Sequence, residues 1–107
     1  MRRLVTLMAL LGAAAWAGEW NGYLMDAMCA AKMKDKAATH KAKCALSCAK
    51  TGFGIVTADG KYVKFDEAGN AKAQEALKGT TKDQDLKIKV TGTLEGDALQ
   101  VESLSIH

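Results

Sequence analysis

Gly54-Ile55-Val56-Thr57-Ala58-Asp59-Gly60-Lys61-Tyr62-Val63-Lys64-Phe65 is the stretch that decides the fold. Two runs rich in β-branched and aromatic residues flank Asp59-Gly60, a dipeptide that favours a tight type I′ turn. The stretch therefore predicts a hairpin, and the rest of the chain is organised around it. Upstream, Glu19-Trp20-Asn21-Gly22-Tyr23-Leu24-Met25 alternates large with small or polar residues and predicts a first strand. Between that strand and the hairpin, residues 27–50 contain neither glycine nor proline and are rich in Ala, Lys and Met, which favour helix. Asp26 offers an N-cap and Gly52 a left-handed stop. Thr39 could cap a second helix, so one long helix and a helical hairpin both fit.

Downstream, 66–78 carries a helical pattern with Ala71, Ala73, Ala76 and Leu77 as candidate inward positions, and Gly79 ends it. The alternating 86–94, the turn Glu95-Gly96-Asp97 and the returning 98–106 predict a closing hairpin. The order is strand, helical segment, two strands, helix, two strands. This predicts an α+β, mostly β domain: a five-stranded OB-like barrel with a helical insertion between strands 1 and 2 and a second helix between strands 3 and 4. Closure would also remove the exposed edges of five short strands. An open sheet with both helices on one face is the alternative.

The insertion holds the chemistry. All three cysteines and one of two histidines fall in it: Cys29, His40, Cys44 and Cys48. On a continuous helix, residues four apart share a face, so His40, Cys44 and Cys48 would form one stripe. Three readings compete. In the first, Cys29 bridges to Cys44 or Cys48, and the disulfide staples the insertion while the third sulfur stays unpaired. Helical i,i+4 geometry disfavours a Cys44–Cys48 bond. In the second, Cys29, His40, Cys44 and Cys48 form a Cys₃His metal set suited to zinc or copper. Met25, Met28 and Met33 could add thioether character or merely fill core. The third is thiol or redox chemistry, though no Cys-x-x-Cys pair is present. Covalent haem is disfavoured because Cys-x-x-Cys-His is missing.

The N-terminus reads as a secretory leader over residues 1–17. Arg2 and Arg3 precede an apolar run ending in the small-x-small site Ala15-Trp16-Ala17. That run is short of the roughly 20 residues a membrane helix needs. A single domain over 18–107, periplasmic or secreted, is expected, with 27–50 as its insertion. In an oxidising compartment an odd thiol count leaves one sulfur unexplained by internal disulfides, so a Cys-linked dimer or protein partner enters as an expectation.

Charge narrows the function classes further. The full chain carries +3 from fifteen Lys+Arg and twelve Asp+Glu. Without Arg2 and Arg3 the balance is about +1, too weak a footprint for nucleic acid. Six lysines (Lys32, Lys34, Lys36, Lys41, Lys43, Lys50) against Asp35 in the insertion read as a solvated face, with an anionic partner as the competing reading. No catalytic arrangement stands out. Asp59, Glu95 and Asp97 serve turns, Asp26 caps a helix, and His107 is terminal. Trp20 and Tyr23 read as core or core rim.

Trp20-Asn21-Gly22-Tyr23 leading to Asp26 and Cys29, then His40, Cys44-Ala45-Leu46-Ser47-Cys48 and Gly52, resembles a family of small exported bacterial proteins of unknown function. Asp59-Gly60-Lys61 and Val90-Thr91-Gly92-Thr93 with Val101 and Ile106 extend the resemblance over nearly the whole mature chain. It implies an OB-like fold and a distinctive Cys…His…Cys…Cys segment, and it implies no activity. Ala30 departs from the glycine that often follows the first cysteine in that family, which favours helix running through this position. The sequence thus predicts an exported, non-catalytic binding domain, with the insertion and the adjoining barrel mouth as its site.

Overall fold

The computed structural model describes the backbone from residue 15 to residue 107 and side chains from Gly18 on. The leader expected over 1–17 lies outside these residues, except that the backbone of 15–17 opens the first strand. The architecture is α+β: a five-stranded mixed sheet with three α-helices. Strand β1 (Ala15–Asp26) is followed by α1 (Ala27–Met33), a 3₁₀ segment (Lys34–Thr39) and α2 (Ala42–Ser47). A 3₁₀ turn (Ala49–Thr51) then leads into the β2–β3 hairpin (Phe53–Thr57, Tyr62–Phe65), α3 (Glu67–Gly79), β4 (Lys87–Glu95) and β5 (Ala98–Ile106).

The long β1 determines the topology. Its Gly22–Asp26 part pairs antiparallel with β2, and its Ala15–Tyr23 part pairs antiparallel with β4. A short parallel contact, Lys64 with Ala98 and Phe65 with Leu99, joins β3 to β5 and closes the strands in the ring order β1-β2-β3-β5-β4. Cleavage after Ala17 would leave every β1–β2 pair intact, together with the β1–β4 pairs from Gly18 to Tyr23.

Alternation sends one side of each strand inward. Leu24, Ile55, Ile88, Val90 and Leu99 are fully or nearly fully buried and form the main core with Phe53, Phe65 and Leu86. Helix α3 packs onto that core through Gly69, Ala73 and Leu77, a spacing of four residues. Of the expected inward set, Ala73 and Leu77 are buried, Ala76 is half-buried and Ala71 is exposed. Gly69 takes the place of Ala71 because the helix approaches closely there: a Cβ would lie 2.6 Å from the Val101 side chain and 2.7 Å from that of Phe65. Asp66 caps α3 by accepting from Gly69 N at 2.9 Å.

Both hairpins form. Gly60 has φ +83°, but Asp59 stays at negative φ, so the first turn is not type I′. Gly60 N donates to Thr57 O, and Thr57 N donates to Lys61 O. The loop is therefore the three-residue kind, in which glycine takes the left-handed position.

The insertion is neither one helix nor a two-helix hairpin. Lys36 (φ −112°, ψ 27°) kinks its 3₁₀ segment, and the chain at His40 is extended. Thr39 caps nothing ahead of it, since its hydroxyl donates back to Lys36 O. The N-cap of α2 is Lys41, with no side-chain cap bond. Gly52 ends the insertion at positive φ (+91°), but its ψ of 170° is extended, so it is not the left-handed helical stop that its position predicts. The segment rests on a second, smaller core of Met25, Ala30, Ala37 and Val56, flanked by Tyr23, Cys29 and Tyr62. Backbone bonds tie it to the loop before β4: Ala42 N donates to Asp83 O, and Asp85 N donates to Ala38 O.

Candidate functional site

The site grows from the end of β1. Asp26 is extended (φ −76°, ψ 154°) while the next residue is helical, which makes it the N-cap of α1. Its Oδ2 accepts from Cys29 N at 3.0 Å, and its Oδ1 lies 2.8 Å from His40 Nε2. Asp26 is 0% exposed and His40 7%. A carboxylate taken out of water must be paired or hydrogen-bonded to be tolerated, and here both oxygens have partners. His40 reaches it because the 3₁₀ segment closes on the bond from His40 N to Ala37 O, after which the extended backbone turns the ring inward.

The sulfurs of Cys29 and Cys48 join this carboxylate. One Asp26 oxygen and the two Sγ atoms all lie within 4.8 Å of one another. Burial pushes the Cys29 thiol up to about 11, helped by its hydrogen bond to Asp26, the Asp26 charge and neighbouring Cys48. A thiol held protonated at neutral pH is a poor nucleophile. Burial, and after it the Asp26 charge, also push the Tyr62 hydroxyl upward. Its oxygen lies 3.4 Å from Met25 O.

The stripe expected of His40, Cys44 and Cys48 does not form. Helix α2 begins at Ala42, so His40 lies off it, and Cys48 (φ −105°, ψ 20°) is its C-cap. Cys44 is exposed and outside the group around Asp26, while Cys29 and Cys48 are half-buried. Of the four expected metal ligands, Cys29 and Cys48 converge and His40 touches the same carboxylate from its other side. All three cysteines are unlinked thiols. The methionines separate too: Met25 is fully buried, whereas Met28 and Met33 are 49% and 38% exposed. The six insertion lysines are all exposed, as a solvated face requires.

A groove of about 660 Å³ opens between the sheet and the insertion, and none of Asp26, Cys29, His40 and Cys48 lines it. Gly22, Tyr23, Val56 and Ile88 form its sheet wall, and Ala37 and Ala38 of the insertion face them. Lys34, Lys87, Lys89 and Asp35 stand at its rim, and His107 also lines it, its backbone N–H bonded to Lys87 O. Lys89 pairs with Glu19, whereas Lys34 and Lys87 make no ion pair among the described residues.

Compared with family models, curated proteins and solved structures, the chain matches none. Among the described residues, no helix is long and apolar enough to cross a membrane.

Sequence reasoning assigned Asp26 the cap but missed its part as the hub between imidazole and sulfurs. The spacing of three residues from Asp26 to Cys29 signals the cap. No local pattern signals the partner 14 residues away.

Proposed function

We propose that this chain is an exported, non-catalytic OB-like binding domain whose insertion is stapled by a Cys29–Cys48 disulfide. Its ligand is a small molecule with an apolar body and an anionic group, held in the groove beside the insertion. The observation that carries this reading is the placing of the groove, with one wall from the sheet and the other from the insertion. Its volume of about 660 Å³ falls within the range of small-molecule sites, about 300–1,000 Å³. The wall is mainly apolar, and the unpaired Lys34 and Lys87 give its rim an attraction for an anion.

The staple reading is supported by the approach of Cys29 to Cys48 within 4.8 Å, at the two ends of the insertion. Bond formation removes one proton from each thiol and passes two electrons to a dithiol-disulfide oxidant of an oxidising compartment. In the chain-entropy picture, closing a loop of this size stabilises by about 3 kcal/mol. The insertion would then present its groove wall without having to order on binding. The ring order β1-β2-β3-β5-β4 supports the OB-like reading, and the charged, apolar and small-residue sequence of the leader supports export. The raised Cys29 thiol argues against a redox or nucleophilic role. Cys44 remains as the sulfur available to a partner chain.

Fluorescence titration with anilinonaphthalene sulfonate, an apolar anion, tests the groove. Saturable binding at one equivalent, lost in Ala38→Trp but kept in Ala71→Trp, is the expected result. Ala38 is exposed and lines the groove, and Ala71 is exposed on α3. Equal binding by both variants would place the probe elsewhere and contradict the reading.

A further inference from the structure

We infer that, when its thiols are reduced, the Asp26–Cys29–Cys48 cluster is a binding site for a borderline-soft divalent cation such as Zn²⁺, with Asp26 as a ligand and Cys44 not involved. The inference concerns the reduced state of the same two sulfurs that the staple reading joins, and it stands or falls separately from that reading.

Three donor atoms from β1 and from both ends of the insertion already converge: a carboxylate oxygen at the end of β1, a sulfur in α1 and a sulfur at the end of α2. Their mutual separations, all within 4.8 Å, can contract around one ion. Metal–sulfur bonds of about 2.3 Å and metal–oxygen bonds of about 2.0–2.2 Å set donor–donor distances of roughly 3–4 Å in a tetrahedral site. Small rotations of the two cysteine side chains cover the difference.

The charges within the cluster point the same way. The Asp26 carboxylate and the two sulfurs lie within 4.8 Å of one another, close enough to repel if all three were ionised. With both thiols protonated, the cluster carries the carboxylate charge alone. A divalent cation can replace both protons: the thiols release them, two thiolates and one carboxylate bind the metal, and the cluster changes from −1 to −1 overall. The exchange therefore buries no additional net charge, a condition few interior sites meet.

His40 is the positioning residue. Its Nε2 holds Oδ1 of Asp26 at 2.8 Å while Oδ2 accepts from Cys29 N, and the two bonds together fix the carboxylate plane. Carboxylate and imidazole pairs of this kind orient ligands in many metal sites. Three protein ligands leave the fourth tetrahedral position to water, which can reach it because both cysteines are half-buried rather than sealed.

Anaerobic titration of the phosphine-reduced full chain with Co²⁺, followed by competition with Zn²⁺, tests the site. Expected are one equivalent bound, with thiolate-to-cobalt charge-transfer absorption, and the same affinity in Cys44→Ser. Asp26→Asn should weaken binding by about 10- to 100-fold, as loss of a ligand or its support does. Asn keeps the helix cap, and far-ultraviolet circular dichroism checks that the variant folds. Cys48→Ser, at the half-buried end of α2, should lose about half the charge-transfer intensity and gives a second, structurally milder test. His40→Gln should weaken Co²⁺ binding yet leave the cobalt d–d bands at saturation unchanged, whereas loss of a direct nitrogen ligand would shift them. Loss of the signal in Cys44→Ser, or unaltered affinity in Cys48→Ser or folded Asp26→Asn, would overturn the proposal. Disulfide mapping of the oxidised protein is a separate measurement, so failure of the metal site and failure of the staple are distinguishable.

Discussion

The His40 imidazole sits 2.8 Å from the Asp26 carboxylate, in a pair that joins the end of β1 to the middle of the insertion away from solvent. Because the same carboxylate caps α1, one side chain ties two segments to the sheet. Asp26→Ala removes a cap, at about 1 kcal/mol, and leaves a buried partner unsatisfied, at about 1–3 kcal/mol. Urea unfolding of the reduced protein should show the combined loss, about 2–4 kcal/mol, and a smaller loss for Asp26→Asn. Equal losses for the two variants would remove the cap from this account.

The three cysteines should separate by reactivity. Cys44 is exposed, whereas Cys29 is half-buried with its thiol pushed up to about 11. Brief iodoacetamide treatment of the reduced protein at neutral pH should label Cys44 first, as read by peptide mass spectrometry. Cys29 should be labelled last. Fast labelling of Cys29 would contradict the hydrogen-bonded, desolvated environment described for it.

Reduced protein should lose stability in alkali. The Cys29 thiol rises from an ordinary 9.0 to about 11 on folding, so between those values the folded state holds a proton that the unfolded chain releases. Its contribution is complete below about pH 9 and is lost as pH rises through about 11. Thermal unfolding across that window should show a steeper decline for the wild type than for Cys29→Ser. The Tyr62 hydroxyl, also pushed up, acts in the same direction in both proteins.

Two glycines should answer alanine in opposite ways. At Gly54 a Cβ would meet the Val63 carbonyl and lie 2.6 Å from Tyr62 Cζ, so Gly54→Ala should cost about 1–3 kcal/mol through overpacking. At Gly79 nothing lies within 4 Å, and its φ is not positive. Gly79→Ala should therefore be neutral or gain up to about 1 kcal/mol by restricting the unfolded chain. Paired urea curves measure both, and a stable Gly54→Ala would contradict the close strand packing.

The strands were legible because alternation and glycine turns are local signals. Both hairpins form where the pattern predicts, and Gly96 turns the second one at φ +65°, but the first pairs Val56 with Tyr62, one residue off the Val56–Val63 register that a two-residue Asp59-Gly60 loop would set. The turn type at Asp59-Gly60 was not legible, because it depends on whether Thr57 or Ala58 closes the ladder. The insertion was legible as helical in composition but not in its breaks. Helix-favouring Lys36 and Lys41 adopt non-helical backbone because Ala37, His40 and Ala42 are drawn onto the sheet and the Asp83 loop. The cysteine site was therefore half legible: Cys29 and Cys48 meet, but the helical stripe that would have brought in Cys44 depends on a continuity that tertiary contacts interrupt. Asp26 became part of the site through folding alone.

Proteolytic peptide mapping of the alkylated, unreduced protein, recovered from the cell envelope of an expressing bacterium, tests the account most directly. A single Cys29–Cys48 linked peptide pair, with Cys44 alkylated or joined to another chain, is the predicted result. A bond from Cys44 to either of the other two cysteines within one chain would contradict it, as would three alkylated thiols in exported protein.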